Sequence, residues 1–219
     1  MKRVLYASLC VVMLVAPAWA HKPYFHNGKA GTPETAVPIH DIDLSQVIYA
    51  ELTEDAPQVW LRCDAKQGQE IKLELGMPFL ESHKDLRPAV AVIGPGLPAA
   101  SLPFAIPEGS GASIFDSANV ADPEFFHEKF TNTDSWVLGY HDVTVPQDGT
   151  YYVVGYFPGG ELGKLWVAIG TRDEFGLADL FTFNDIVNKV QAFHETSSSV
   201  AIPCFVPFLG IGILGFVFM

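Results

Sequence analysis

Cysteine, basic charge and catalytic spacing are what this chain of 219 residues has least of. Its three cysteines are Cys10 near the N-terminus, Cys204 in an apolar C-terminal run, and Cys63 between them. No sensible intramolecular disulfide follows from that spread, so stability has to come from a hydrophobic core. Lys and Arg number 13 against 25 Asp and Glu, a formal net charge of −12. So acidic a surface disfavours nucleic acid and anionic lipid headgroups as partners. No Gly-x-Ser-x-Gly elbow is present, and neither is an EF-hand loop. Gly94-Pro95-Gly96 cannot cradle a phosphate, because Pro95 has no N–H to offer.

What is present begins at the two ends. Lys2 and Arg3 precede an apolar run at 4–15, and Ala18-Trp19-Ala20 supplies small residues where a signal peptidase needs them. Residues 1–20 are therefore predicted to be a signal peptide whose removal leaves His21 first. At the other end, residues 200–219 carry no charge and suffice to cross a hydrocarbon core of about 30 Å. A transmembrane anchor there, retained or processed, predicts an exported domain on the outer face of the cytoplasmic membrane. The membrane is then one partner and a membrane protein a second.

Between the ends, short β-branched and aromatic runs dominate. Ile71, Leu73 and Leu75 alternate with Glu70, Lys72 and Glu74, the period-2 mark of a half-buried strand. Val59, Leu61 and Cys63 share one face of a run at 58–64. Further strands are predicted at 46–53, 88–93, 125–131, 135–145, 150–157 and 164–170, with Pro158-Gly159-Gly160 closing a hairpin. The expected fold is mainly β: an antiparallel, jelly-roll-like β-sandwich over 40–172, after an extended loop at 21–39. The Pro- and Gly-rich stretch 94–111 reads as a long loop, of the kind compact domains keep for binding or for covering an edge, and is favoured as a docking surface. Over 175–195, Leu180, Ile186, Val187, Val190 and Phe193 form one face of an amphipathic helix, suited to packing on protein or on a neutral membrane interface.

Gly68-Gln69-Glu70-Ile71-Lys72-Leu73-Glu74-Leu75, followed later by Gly149-Thr150-Tyr151-Tyr152-Val153-Val154, resembles the strand motifs of bacterial pre-peptidase C-terminal domains. Asp85-Leu86-Arg87-Pro88, leading into Gly94-Pro95-Gly96-Leu97-Pro98, is similar to a segment of uncharacterised exported, membrane-anchored β-sandwich proteins. The resemblance spans most of 40–195. It implies a sandwich fold and an anchored plan, and it brings no catalytic residues.

Two function classes follow. The favoured one is an extracytoplasmic binding or assembly module without catalytic activity. The alternative is a copper protein. His21 would offer a free α-amino group and an imidazole, and a second imidazole would complete a nitrogen site resembling the histidine brace of lytic polysaccharide monooxygenases. His26 and His141 are taken as metal-ligand candidates beside His21, with His40, His83 and His127 also available. Acidic residues at 41, 43, 116, 122, 124 and 134 are weighed as calcium ligands against simple solvation. Tyr151, Tyr152, Tyr156, Phe157, Trp136 and Trp166 are weighed as a sugar-stacking platform, although alternation must place about half of them inside.

Overall fold

A computed structural model describes residues 22–26, 28–174 and 177–196. The stretches read as a signal peptide (1–20) and a membrane span (200–219), and His21 with them, lie outside the described residues. Among the described residues no helix is long and apolar enough to cross a membrane.

Among the described residues eleven strands form two facing sheets. They are β1 (Lys22–His26), β2 (Val37–Pro38), β3 (Gln46–Leu52), β4 (Gln58–Ala65), β5 (Glu70–Pro78), β6 (Ala89–Pro95), β7 (Ser110–Asp116), β8 (Glu124–Glu128), β9 (Thr133–Thr144), β10 (Gly149–Tyr156) and β11 (Gly163–Ile169). One sheet has six strands in the order β1-β3-β11-β5-β9-β8, the other five in the order β2-β4-β10-β6-β7. The inner faces meet in a core where Ile71, Leu73 and Leu75 of β5 pack with Leu61, Cys63, Val92 and Tyr151 of the opposite sheet. Burial pushes the Cys63 thiol up to about 12, and its Sγ lies 3.7 Å from the Tyr151 carbonyl oxygen. That thiol is a core residue and not a nucleophile.

The sandwich is mixed rather than purely antiparallel. β1 pairs with β3 and β2 with β4 in parallel, so the stretch expected as loop at 21–39 supplies two strands. Pro23 and Pro38 explain how they are tolerated. A strand lacking one ladder N–H fits only at a sheet edge, and both strands are edges. A third strand absent from the sequence reading, β7, pairs with β6 along its whole length.

Both outer faces are partly roofed. The helix α1 (Leu177–Phe193) brings Phe193 against Val47, Tyr49, Trp166 and Ala168 of the six-stranded sheet. The connection 96–109 lies over the five-stranded sheet, where its Leu102, Phe104 and Ile106 pack on Trp60, Ile93 and Tyr156. Of the two roles expected for that stretch, docking or covering, the structure gives it the covering one. Its apolar side chains alternate with exposed Ser101, Pro103 and Ala105, as an extended segment lying on an apolar surface requires.

Candidate functional site

The C-terminal end of α1 is fixed to the six-stranded sheet by a chain of hydrogen bonds. Trp166 Nε1–H donates to Ser135 Oγ at 3.3 Å, and Ser135 Oγ lies 3.0 Å from His194 Nε2. His194 Nδ1 lies 2.8 Å from the Val190 carbonyl oxygen. A carbonyl only accepts, so Nδ1 carries the proton and Nε2 accepts from the Ser135 hydroxyl. Burial lowers the His194 pKa, in keeping with a neutral ring. Gln191 Nε2 adds a bond to the Thr131 carbonyl at 2.8 Å.

Between this anchored helix end and the β8 edge, the outer face of the sheet stays open. A cavity of about 250 Å³ there is lined by Glu74, Glu124, Glu128, Phe126, Tyr140 and His194, among others. Strand alternation builds it. Glu124, Phe126 and Glu128 stand opposite Val137, Ser135 and Thr133 of β9, so all three face outward. A bulge on β9 at Leu138, where Leu75 pairs with Gly139 and Gly76 with Val137, resets the alternation and keeps Tyr140 beside Glu74 on that face. Burial raises the Glu74 carboxyl pKa, and the Glu124 charge raises it further. The Tyr140 phenol is raised by burial and then by Glu74 and Glu124. Among the described residues none of the three glutamates has an ion pair, and no Lys or Arg lines the cavity.

The opposite face of β8 presents the exposed Phe125 beside the His127–Asp134 pair. Phe125 pairs with Trp136 across the strands, and Phe79 packs 5.1 Å from Phe125 and 4.5 Å from Trp136, ring centre to ring centre. Phe79, Phe125, Phe126 and Tyr140 are 46, 54, 43 and 64% exposed. Among the described residues these four, all at this corner, are most of the large apolar side chains left in solvent, the others being Tyr24 and Leu162.

Ser135 beside His194 has the outline of a nucleophile–base pair, but its surroundings oppose that chemistry. Acyl transfer needs N–H donors aimed at a developing oxyanion, and the ionised groups lining this cavity are carboxylates. The Ser135 oxygen already accepts from Trp166. The pair is a latch for the helix.

Of the metal candidates His21, His26 and His141, the first lies outside the described residues and the other two stand apart. His26 ends β1 and its Nε2 accepts from the Ala30 N–H at 2.7 Å; His141 lies on β9, with Nε2 3.1 Å from Ser113 Oγ. Three strands separate β1 from β9, which at about 4.8 Å per step sets the two histidines about 19 Å apart. His83 Nε2 accepts from the Lys164 N–H, and His127 pairs with Asp134 at 2.6 Å. The acidic candidates are also dispersed: Asp41 pairs with Arg172, Asp116 caps a short turn at Ala118, and Glu124 lines the cavity. Among the described residues no group of three or more His, Cys, Asp or Glu side chains could hold a metal ion. The proposed sugar platform dissolves too, since Tyr151, Tyr156, Phe157 and Trp166 are buried.

No family model matches the chain, and no curated protein does. Among solved structures the chain is similar to PliG of Aeromonas hydrophila, a periplasmic lysozyme inhibitor of g-type lysozyme. The identity is 15% and the TM-score 0.33, over 70% of this chain and 100% of that one. From a likeness at that level we take nothing about what this chain binds.

Proposed function

We propose that this chain is a non-enzymatic binding module, exported and held at the outer face of the cytoplasmic membrane, that captures an extended segment of a partner protein along β8. The observation carrying this reading is the state of the four sheet edges. β1 and β2 carry Pro23 and Pro38, which remove a ladder N–H from each, and β2 is only two residues long. The connection 96–109 runs beside β7, where the Ala112 N–H bonds the Pro98 carbonyl at 2.8 Å. β8 pairs with β9 on one side and carries exposed phenylalanines on both faces. A free edge offers a row of main-chain donors and acceptors to an added strand, and the flanking side chains give selectivity. The export and anchor readings rest on the sequence at 1–20 and 200–219.

The test selects peptides from a random displayed library on the full chain and then maps hydrogen exchange with a selected peptide bound. Slowed exchange at residues 124–128, with little change at β1, β2 and β7, is the expected result. Protection confined to another element, or a selection that returns nothing above an unrelated control protein, would overturn the reading.

A further inference from the structure

The outer face of β8 repeats charge at a fixed spacing, and that pattern restricts which strand can pair with it. Glu124 and Glu128 stand on either side of Phe126, about 13 Å apart along the strand at roughly 3.4 Å per residue. A strand added beside β8 places its own residues i, i+2 and i+4 on that face, with Cβ atoms about 4.5–5.5 Å from these three. Glu74 lies on the same face and is half-buried. Together the three glutamates leave a partly desolvated negative field with no cation of this chain among the lining residues. Lys129, the nearest cation in sequence, follows the strand at its end and makes no ion pair among the described residues.

The same charges exclude the simplest other occupants. A second copy pairing antiparallel about Phe126 would set Glu124 against Glu128 twice, a like-charge arrangement that destabilises a strand pair. Residues 197–219 contain no Lys or Arg, so that apolar segment cannot satisfy the carboxylates. A phosphate or an anionic lipid surface is repelled.

Resting on the docking reading above, we infer that the partner segment is cationic: an extended stretch of five residues with Lys or Arg at its first and fifth positions and apolar residues between. The two basic heads sit against Glu124 and Glu128, with Glu74 and Tyr140 toward the Glu124 end, and the middle side chain packs on Phe126. A neighbouring apolar residue meets Phe125 and Phe79 on the other face. In this way neutralising the carboxylates and completing the sheet become one event, and an edge protected from its own kind stays open to a complementary strand.

The probes are fluorescent peptides with the cores Lys-Val-Val-Val-Lys, Glu-Val-Val-Val-Glu, and the Lys peptide N-methylated at its three valines. Each is titrated by anisotropy into the full chain and into E124Q/E128Q. Glutamine keeps the Oε1 acceptor that the Phe130 N–H uses at Glu128, and an unchanged melting curve confirms the fold. The Lys peptide is expected to bind at least tenfold tighter than the Glu peptide. It should lose about tenfold on E124Q/E128Q, two cross-strand charge pairs at roughly 0.5–1 kcal/mol each. It should also lose binding on N-methylation. Equal binding of the Lys and Glu peptides, both abolished by N-methylation, would overturn the inference about charge and leave strand docking in place. Binding of the N-methylated Lys peptide as tight as that of its parent would overturn strand docking itself. Absence of Lys-peptide binding at millimolar concentration would overturn the cationic assignment, while the exchange experiment above judges the docking site independently.

Discussion

If the connection 96–109 is a structural roof, shortening one side chain in it should cost a large part of what a core substitution costs. Phe104 is the residue to change. Its ring lies 5.5 Å from that of Trp60 and 5.0 Å from that of Tyr156, both in edge-to-face geometry, and Trp60 beneath it is 1% exposed. Replacing a fully buried phenylalanine by alanine costs about 3–5 kcal/mol. Phe104 is half-buried, which takes the figure down to about 2 kcal/mol, including the two aromatic pairs at about 0.5–1.5 kcal/mol each. For a domain of about 150–250 residues each kcal/mol moves Tm by about 2–4 °C, so Phe104→Ala should lower Tm by about 4–8 °C and red-shift the Trp60 emission. Phe126→Ala makes the contrast: the same chemical change at an exposed edge position should cost less than about 0.5 kcal/mol. Calorimetry on the two variants decides the matter. A Tm for Phe104→Ala within 1 °C of the parent, or equal to that of Phe126→Ala, would refute the roof and return the connection to the set of docking surfaces.

Stability should also fall as pH drops below about 6.5. Burial lowers the pKa of His26, His83, His141 and His194 from the ordinary 6.5. Three of these rings have an Nε2 that accepts from a partner, which protonation forbids. The unfolded chain then takes up protons first, so this stabilisation is complete above 6.5 and is lost as pH falls through the lower folded values. Urea melts at pH 7.5, 6.5 and 5.5 should show midpoints falling in that order, and a midpoint that rises on acidification would refute the assignment. Gly76→Ala should destabilise by about 1–3 kcal/mol. The added Cβ would enter the Trp166 ring and stand 2.7 Å from the Trp136 carbonyl oxygen. A chemical melt checks this, and an unchanged midpoint would mean that Trp166 is not held against the bulge.

Much of the sandwich was legible because its central strands obey a local rule. β5 alternates apolar and charged residues, β6 is apolar throughout, and β10 follows a turn at Gln147-Asp148-Gly149; the elements lie where those patterns put them. The failures share one physical cause. β1, β2 and β7 are edge strands, so neighbour pairing rather than alternation creates them. β7 reads Ser-Gly-Ala-Ser-Ile-Phe-Asp, in which only Ile114 and Phe115 favour a strand and the four residues before them do not. Its Gly111 is demanded by the Leu97 and Pro98 carbonyls, which leave no room for a Cβ. Nothing in residues 110–116 announces that contact, because the crowding group arrives from a different part of the chain. The connection 96–109 misled for a similar reason: prolines mark irregular backbone but do not say what lies beneath it.

The site was harder to see, yet one local signal was available. Two consecutive phenylalanines in a strand point to opposite faces, so Phe125-Phe126 can both be buried only where both faces are covered. Glu124 and Glu128, two positions either side of Phe126, make burial of that face costly unless a cation joins them. Read together, Glu-Phe-Phe-His-Glu therefore describes a strand with one face awaiting a partner. Strand order decides whether that strand is central or terminal, and strand order is not a property of five residues. It depends on β9 being long enough to pair with β5 at one flank and β8 at the other. It depends too on the Ser135–His194 latch holding α1 in place beside the groove. The chemistry of recognition is thus written in residues 124–128, and its exposure is written everywhere else. That separation is why substitutions at Glu124 and Glu128 should alter partner choice while leaving the melting curve unchanged, whereas loss of the latch by Ser135→Ala should disturb the helix without touching the charge pattern.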